Sequence, residues 1–232
     1  MKNSVQVRPI TVSEFQAMFH DIYTPANERY SDPDLMLHFI EETSAVMELA
    51  RKDEIEKMPS QISRVYSWVN AVASRLKINL QEALWNKYPN VCPYCLRFEN
   101  CLCAVEHPDI PEKELKLRKF RRDKRNMPVA LYAHQDLHRR LYSKQNRRIL
   151  IIQTAAHLAE EAGEVSKEFR HKNREKIQNE IADVLSWTFA IANRCGFELA
   201  DIVWDQFPFE CESCHSSPCI NLTGHHCQDT WS

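Results

Sequence analysis

Five carboxylates form two short groups in the second half of the chain: Glu160, Glu161 and Glu164, then Glu180 and Asp183. Residues three and four apart share one side of a helix, so each group would present its carboxylates on one face. Carboxylates crowded into one gap repel one another unless protons or cations neutralise them. Mg²⁺, with Mn²⁺ as the alternative, takes oxygen ligands and accepts phosphate oxygens beside carboxylates. The spacing therefore predicts a metal site that activates water against a phosphate.

A more ordinary interpretation is that these are surface carboxylates on charged helices. Apolar residues beside both groups argue against it, because a carboxylate among apolar neighbours on a core-facing helix is costly unless it is used. These neighbours are Ala156, Ala159, Ala162 and Val165 in the first group, and Ile181, Ala182, Val184 and Leu185 in the second.

The two groups resemble a family pattern. EEAGE at Glu160–Glu164, followed after fifteen residues by EIAD at Glu180–Asp183, is similar to the EExxE…ExxD pattern of the MazG-like all-α nucleotide pyrophosphohydrolases. This superfamily also includes dimeric dUTPases and phosphoribosyl-ATP pyrophosphatases. The resemblance is clear over residues 148–206 and weak in the first half. It implies Mg²⁺-dependent hydrolysis of an NTP or dNTP to the monophosphate and pyrophosphate, with house-cleaning of nucleotides as one role.

The resemblance also implies residue roles. Glu161, Glu164, Glu180 and Asp183 would be the Mg²⁺ ligands. Glu160 would be a ligand to a second ion, a group behind the ligands, or the base that orients water. Two other functions stay open: a non-catalytic zinc-containing protein that binds nucleotides or nucleic acid, and a phosphoribosyl-ATP pyrophosphatase.

The chain contains an internal repeat at an offset of 119 residues. Residues 38–95 align without gaps to residues 157–214, with about 19 identical positions among 58 where chance gives about three or four. The matches include rare residues, since Trp68 pairs with Trp187. The repeat predicts three parts: a degenerate copy at 9–108, a basic linker at 109–127, and an intact copy at 128–232.

The first copy lacks most of the acidic pattern. It keeps Glu41 and Glu42, but Ala45, Gln61 and Arg64 occupy the later positions. Because Arg64 places a fixed positive charge where a metal ligand should be, we expect one metal site per chain. Trp68 and Trp187 are interpreted as core residues, with stacking on a base as the alternative. Candidate phosphate contacts are Arg64, Arg148, Lys176 and the run Arg118–Arg125.

The fold class predicted from periodicity is all-α. Apolar residues recur at helical spacing from Ile177, and the first copy keeps the same stripe from Met58. Asp32 and Pro33 suggest a cap and first turn, and Gly196 suggests a helix C-cap. Several helices joined by short loops imply two tandem repeats packed as a pseudo-dimeric helix bundle, each ending in a small zinc-binding cysteine motif.

Cysteine pairs close both copies. Cys92, Cys95, Cys101 and Cys103 suit one tetrahedral structural Zn²⁺. The second copy offers Cys211, Cys214 and Cys219 for a second structural Zn²⁺, with Cys227, His225 or His226 as the fourth ligand and Cys227 favoured. Unligated thiols are the alternative at both places.

Composition excludes other classes of function. Three glycines, Gly163, Gly196 and Gly224, cannot build a glycine-rich phosphate loop. A net charge of −2 argues against nucleic acid as a partner. We expect no signal peptide, no membrane span and a cytoplasmic location. The expected partner is a nucleoside triphosphate substrate, and assembly into a homo-oligomer is left open.

Overall fold

The computed structural model describes residues 7–101, 103 and 108–220. The fold is all-α, as predicted: within these residues it contains α-helices, two short 3-10 turns and a single isolated bridge between Thr11 and Ala130. The helices are α1 (Val12–Asn27), α2 (Asp32–Lys52), α3 (Met58–Arg75), α4 (Leu80–Lys87), α5 (Lys113–Arg122), α6 (Leu131–Asn146), α7 (Ile151–Arg170), α8 (Arg174–Cys195) and α9 (Leu199–Gln206).

Local signals explain several helix ends. The α2 cap is Ser31, whose hydroxyl accepts from the backbone N–H of Asp34, so the predicted cap at Asp32 is one residue too late. Gly196 ends α8 at φ 79°, which confirms the predicted C-cap. Lys77, at the same position in the first half, adopts φ 52° although it carries a side chain.

The long helices form two hairpins, α2 with α3 and α7 with α8, and these pack on each other through α2 and α7. Helix α1 packs on α3, and α6 packs on α8. One apolar core runs through both halves, and its largest fully buried side chains include Tyr66, Phe39 and Phe189. Each hairpin thus buries its apolar face against its counterpart, which a single hairpin could not do.

The two short helices cross between the halves. Helix α4 of the first half packs on α8 of the second, and α9 of the second half packs on α3 of the first. The segment after α4 is therefore carried to the acidic hairpin α7–α8. The segment after α9 is carried to the first-half hairpin α2–α3.

Hydrogen bonds recur at the offset of 119 residues. Gln16 binds the carbonyl of Ile78 and the N–H of Leu80, and Gln135 binds the carbonyl of Phe197 and the N–H of Leu199. Helices α1 and α6 have bounds that differ by the same offset, as do α4 and α9. These correspondences support the predicted tandem repeat and pseudo-dimer, which stay predictions, as do the three domain bounds.

The predicted basic linker contains helix α5. Leu117 is its buried residue, and the indole N–H of Trp85 donates to the carbonyl of Arg121 at 2.9 Å, which fixes α5 beside α4. None of the helices in the described part of the chain is long and apolar enough to span a membrane.

Candidate metal centre and nucleotide cavity

Three of the predicted carboxylates meet between α7 and α8. One oxygen each of Glu161, Glu180 and Asp183 lies within 4.8 Å of the others. Helix α7 presents Glu161, and α8 presents Glu180 and Asp183 one turn apart on the facing side. Asp183 is buried, and the two glutamates are half-buried. This arrangement offers a concentrated set of oxygen donors.

The surroundings of this cluster favour the neutral, protonated forms of its glutamates. Burial raises the pKa of Glu161 to about 7, and the charges of Asp183 and Glu180 act in the same direction. Burial also raises the pKa of Glu180, again with help from Asp183. A cation that replaces these protons would stabilise the ionised carboxylates.

Two residues of the first half complete the cluster. Lys87, the last residue of α4, places its Nζ 2.7 Å from Oδ2 of Asp183. The hydroxyl of Tyr88 donates to Oδ1 of Asp183 at 2.5 Å. Burial lowers the pKa of Lys87, but the charge of Asp183 and their hydrogen bond outweigh it and leave the pKa above its usual value.

Sequence reasoning missed Lys87 and Tyr88. The positions 119 residues later hold Gln206 and Phe207. The sequence shows this difference at the offset of 119 residues, but it does not show that α4 crosses onto α8.

Glu160 and Glu164 lie outside the group of three. Glu160 points to solvent and bonds His157 Nδ1 at 3.1 Å. Glu164 lies one turn beyond Glu161 and accepts from Lys167 at 2.7 Å. Their predicted roles stay predictions.

Glu168 is a further carboxylate that sequence reasoning did not single out. It is 5% exposed, and its Oε1 lies 3.7 Å from Nζ of Lys176. Its charge, like that of Glu164, helps to raise the pKa of Glu180, so the acidic surface continues along α7.

A cavity of about 190 Å³ opens beside the acidic cluster, and both halves line it. The second half supplies Glu161, Asp183 and Trp187 with part of α6, while the first half supplies two tyrosines and part of its cysteine motif. The full lining is Tyr88, Tyr94, Cys101, Cys103, Tyr142, Gln145, Asn146, Glu161, Asp183, Ser186, Trp187 and Ala190. Aromatic walls with a few polar groups are typical of a small-molecule binding site.

The two equivalent tryptophans differ in position. Trp187 is half-buried, lines the cavity and stacks on His157 with ring centroids 4.6 Å apart. Trp68 is 2% exposed and stacks on His38 within the core. The predicted core position therefore describes Trp68, whereas Trp187 is available to the cavity.

In the first half, an ion pair occupies the position that matches Asp183 at the offset of 119 residues. Nε of Arg64 lies 3.1 Å from Oε1 of Glu212, which comes after α9 in the chain. Gln206 also donates to Glu212, and Gln61 donates to Glu42 at 2.5 Å. The charges are reversed relative to the acidic cluster, since here the hairpin carries the cation and the crossing segment carries the carboxylate.

Among the predicted phosphate contacts, Lys176 lies beside the acidic residues of α7, since its Nζ is 3.7 Å from Oε1 of Glu168. Arg64 faces Glu212, and Arg148 is exposed and outside the cavity lining. Within the run Arg118–Arg125, Arg121 binds Glu114 and the carbonyl of Asn86.

Helices α7 and α8 contain all five predicted carboxylates, and α9 follows them directly. Residues 151–207 match the MazG nucleotide pyrophosphohydrolase domain. The match begins with α7 and ends just after α9. It confirms the predicted resemblance for this MazG segment and indicates nucleotide pyrophosphohydrolase activity as its general class. Comparisons with curated proteins and with solved structures gave no match.

The first cysteine motif lies directly beside the MazG segment. The Sγ atoms of Cys92, Cys95, Cys101 and Cys103 all lie within 4.8 Å of one another, with close pairs 3.3–3.7 Å apart. A tetrahedral zinc with bonds of about 2.3 Å would separate its sulfur ligands by about 3.8 Å. The four thiols therefore fit a single Zn²⁺, and Cys101 and Cys103 also line the cavity.

The second motif lies directly after α9. Cys211, Cys214 and Cys219 come together, and Sγ of Cys214 lies 3.8 Å from Sγ of Cys219. Cys92 and Cys211 start equivalent turns, in which Leu96 and His215 have positive φ. The predicted fourth ligand, whether Cys227, His225 or His226, lies outside the described residues. None of the described cysteines forms a disulfide.

Proposed function

We propose that the chain hydrolyses a nucleoside triphosphate to the monophosphate and pyrophosphate, using a divalent cation. The observation that carries this proposal is that the acidic cluster of the MazG segment borders an aromatic cavity, which both halves of the chain line. An acidic cluster alone would suit a structural ion. A cavity of nucleoside character beside it favours a nucleotide substrate.

The donors fit Mg²⁺ or Mn²⁺. Glu161, Glu180 and Asp183 offer only oxygen atoms, which these hard cations prefer. Burial, together with the charges of Asp183 and Glu180, raises the pKa of Glu161 although Lys87 lowers it, so a cation would favour the ionised form of this carboxyl. Glu164 is the fourth proposed ligand, and release from Lys167 would free it to turn toward the ion. When bound, the cation would polarise the phosphate and lower the pKa of water.

The chain itself positions the substrate. The hydroxyl of Tyr88 holds one oxygen of Asp183, which leaves the other to Lys87 or to a cation. Lys87, displaced from Asp183, would remain in the cluster as a donor to a phosphate oxygen. Glu160, which is exposed and hydrogen-bonded to His157, is proposed to act on the solvent side of the cluster.

The order of side chains along the hairpin sets a direction for the substrate. The nucleoside cavity lies at Trp187 and Asp183. Glu180 and Lys176 lie further toward the start of α8, and Lys176 is about 10 Å along the helix axis from Asp183. We therefore place the base in the cavity and the terminal phosphates near Lys176 and Lys167.

The first half is proposed to be a degenerate copy that serves the second. It supplies Lys87, Tyr88 and Tyr94 across the crossing of α4, as the partner subunit of a dimer would. The two cysteine motifs are proposed to bind one structural Zn²⁺ each. The first also forms a wall of the substrate cavity.

Phosphoribosyl-ATP pyrophosphatase is the second candidate, because the acidic pattern does not distinguish the two. The test is a hydrolysis panel in which the full chain meets each common NTP and dNTP, and phosphoribosyl-ATP, with Mg²⁺. We expect monophosphate and pyrophosphate from at least one triphosphate, and loss of at least about 100-fold in Glu180→Gln and Asp183→Asn. Glu42→Gln, in the first-half hairpin α2–α3, is the matched control. Full activity in both site variants would overturn the proposal.

A further inference from the structure

The basic segment between the two halves forms a groove with the first cysteine motif. This groove has a volume of about 480 Å³ and is lined by Cys95, Leu96, Ile110, Lys116, Lys119 and Phe120. The cysteine motif borders both this groove, through Cys95, and the cavity beside the acidic cluster, through Cys101.

Positive charge is concentrated here. Residues 113–125 contain eight lysines and arginines and two acids, a balance of +6 in a chain whose net charge is −2. Some of this charge is paired, since Arg121 and Arg118 bind Glu114. Within the described residues, no carboxylate lies within ion-pair distance of Lys116 or Lys119. The two ammonium groups that line the groove are therefore available to an anion.

The groove is a fixed surface. Leu117 is 3% exposed, and Arg121 donates to the carbonyl of Asn86 at 2.7 Å, so α5 is held against α4. Lys116, Lys119 and Phe120 lie three and four residues apart, which puts them on one side of α5, toward the cysteine motif.

Aromatic rings accompany the charge. Phe98 of the cysteine motif is 53% exposed and meets Phe120 edge to face at 5.6 Å between ring centroids. An exposed ring beside unpaired lysines provides one surface for stacking and another for phosphates. Single-stranded nucleic acid is recognised by this combination.

We propose that this groove binds single-stranded nucleic acid. Lys116 and Lys119 contact the backbone, and Phe98 stacks on a base. An anionic membrane fits less well, because Leu115 is the exposed large apolar residue of α5 and an interfacial helix needs a broad apolar face. The slightly acidic charge of the whole chain argued against nucleic acid, but recognition depends on the local charge, which is strongly basic.

The test is fluorescence anisotropy of a labelled oligouridylate with the full chain as purified, without Mg²⁺. We expect binding that weakens steeply between about 50 and 200 mM salt. Lys116→Glu with Lys119→Glu should weaken binding at least about tenfold and reduce the log–log salt slope by about 1.4, the value for two single-strand phosphate contacts. Phe98→Ala should weaken binding about tenfold with an unchanged salt slope.

The control has the same change in charge elsewhere. Lys52→Glu with Lys57→Glu alters exposed lysines of the first hairpin that pair with Glu48 and Glu54. Equal loss in both double variants, or no binding at low salt, would overturn the proposal. Binding to phosphatidylserine vesicles without binding to the oligonucleotide would assign the groove to a membrane and also overturn it. Unchanged nucleotide hydrolysis and zinc content would show that Lys116→Glu with Lys119→Glu still folds.

Discussion

The ammonium of Lys87 lies 2.7 Å from a carboxylate oxygen of Asp183, and the two residues come from opposite halves of the chain. We predict that Lys87→Met lowers kcat/KM for the nucleotide by about 10- to 100-fold, because a buried charge that faces the phosphates is lost. Lys87→Arg should retain part of the activity.

Steady-state kinetics would check this, with Lys124→Met as the control. Lys124 also pairs with a carboxylate of α4, Glu82 at 2.7 Å, but on the exposed side. If the two methionine variants behave alike, Lys87 does not act on the substrate.

The direction proposed for the substrate can be tested by product inhibition. Lys176→Met should weaken inhibition by pyrophosphate about tenfold, because it removes a donor at the terminal phosphates. Inhibition by the monophosphate should not change. The control is Lys172→Met, at an exposed position after α7. If Lys176→Met weakened inhibition by the monophosphate alone, the substrate would lie in the opposite direction along the hairpin.

The elevated pKa of Glu161, about 7, predicts how Mg²⁺ affects stability at different pH values. In the metal-free fold this carboxyl binds a proton more tightly than in the unfolded chain. The stability that this bound proton contributes is therefore complete below the unfolded pKa of about 4.5 and is lost as the pH rises from there through 7. Mg²⁺ competes with that proton, so the rise in Tm on adding Mg²⁺ should be larger at about pH 8 than at about pH 6.

Differential scanning fluorimetry of the full chain gives these shifts. Glu161→Gln should lose most of the pH dependence, since it cannot ionise. Glu42→Gln, whose carboxyl occupies the equivalent position in the first half, should keep it. A larger shift at the lower pH would contradict the assignment of Glu161 as a ligand.

Sequence patterns predicted the elements of this site better than its assembly. The i, i+3 spacing of Glu180 and Asp183 and their position opposite Glu161 follow from helix geometry, as does the C-cap at Gly196. Lys87 could not be assigned, because its contact with Asp183 depends on α4 crossing to the other half, and no local pattern encodes a crossing.

The aromatic residues show the same limit. Trp68 and Trp187 lie at matching positions of the predicted repeat, yet one is in the core and the other lines a cavity. Tyr30 packs on Trp68 with ring centroids 5.9 Å apart, whereas Cys101 and Cys103 of the first cysteine motif line the cavity beside Trp187.

The two cysteine motifs should differ in their effect on catalysis. We expect two zinc ions per chain by elemental analysis. Cys101→Ser with Cys103→Ser should remove one of them and raise KM for the nucleotide about tenfold, since both residues line the cavity. Cys214→Ser with Cys219→Ser should also remove one zinc but leave KM within about twofold. Equal effects on KM would show that zinc stabilises the fold as a whole and does not shape the cavity.

The ion pair between Arg64 and Glu212 should stabilise the fold without serving catalysis. The side chain of Glu212 is 11% exposed and that of Arg64 is 37% exposed, so the pair lies between the buried and surface cases. We predict that Glu212→Gln costs about 1–2 kcal/mol of unfolding free energy, which corresponds to a fall in Tm of about 2–8 °C for a chain of this size.

A double-mutant cycle with Arg64→Met measures the coupling directly, by denaturant unfolding of both single variants and the double variant. We expect the double variant to be more stable than the sum of the single losses implies, because neither charge is left uncompensated. The kcat of Glu212→Gln should stay within about twofold, since Glu212 contacts Arg64 and Gln206 and not Asp183. A large loss of kcat with unchanged stability would mean that the Arg64–Glu212 pair takes part in the reaction.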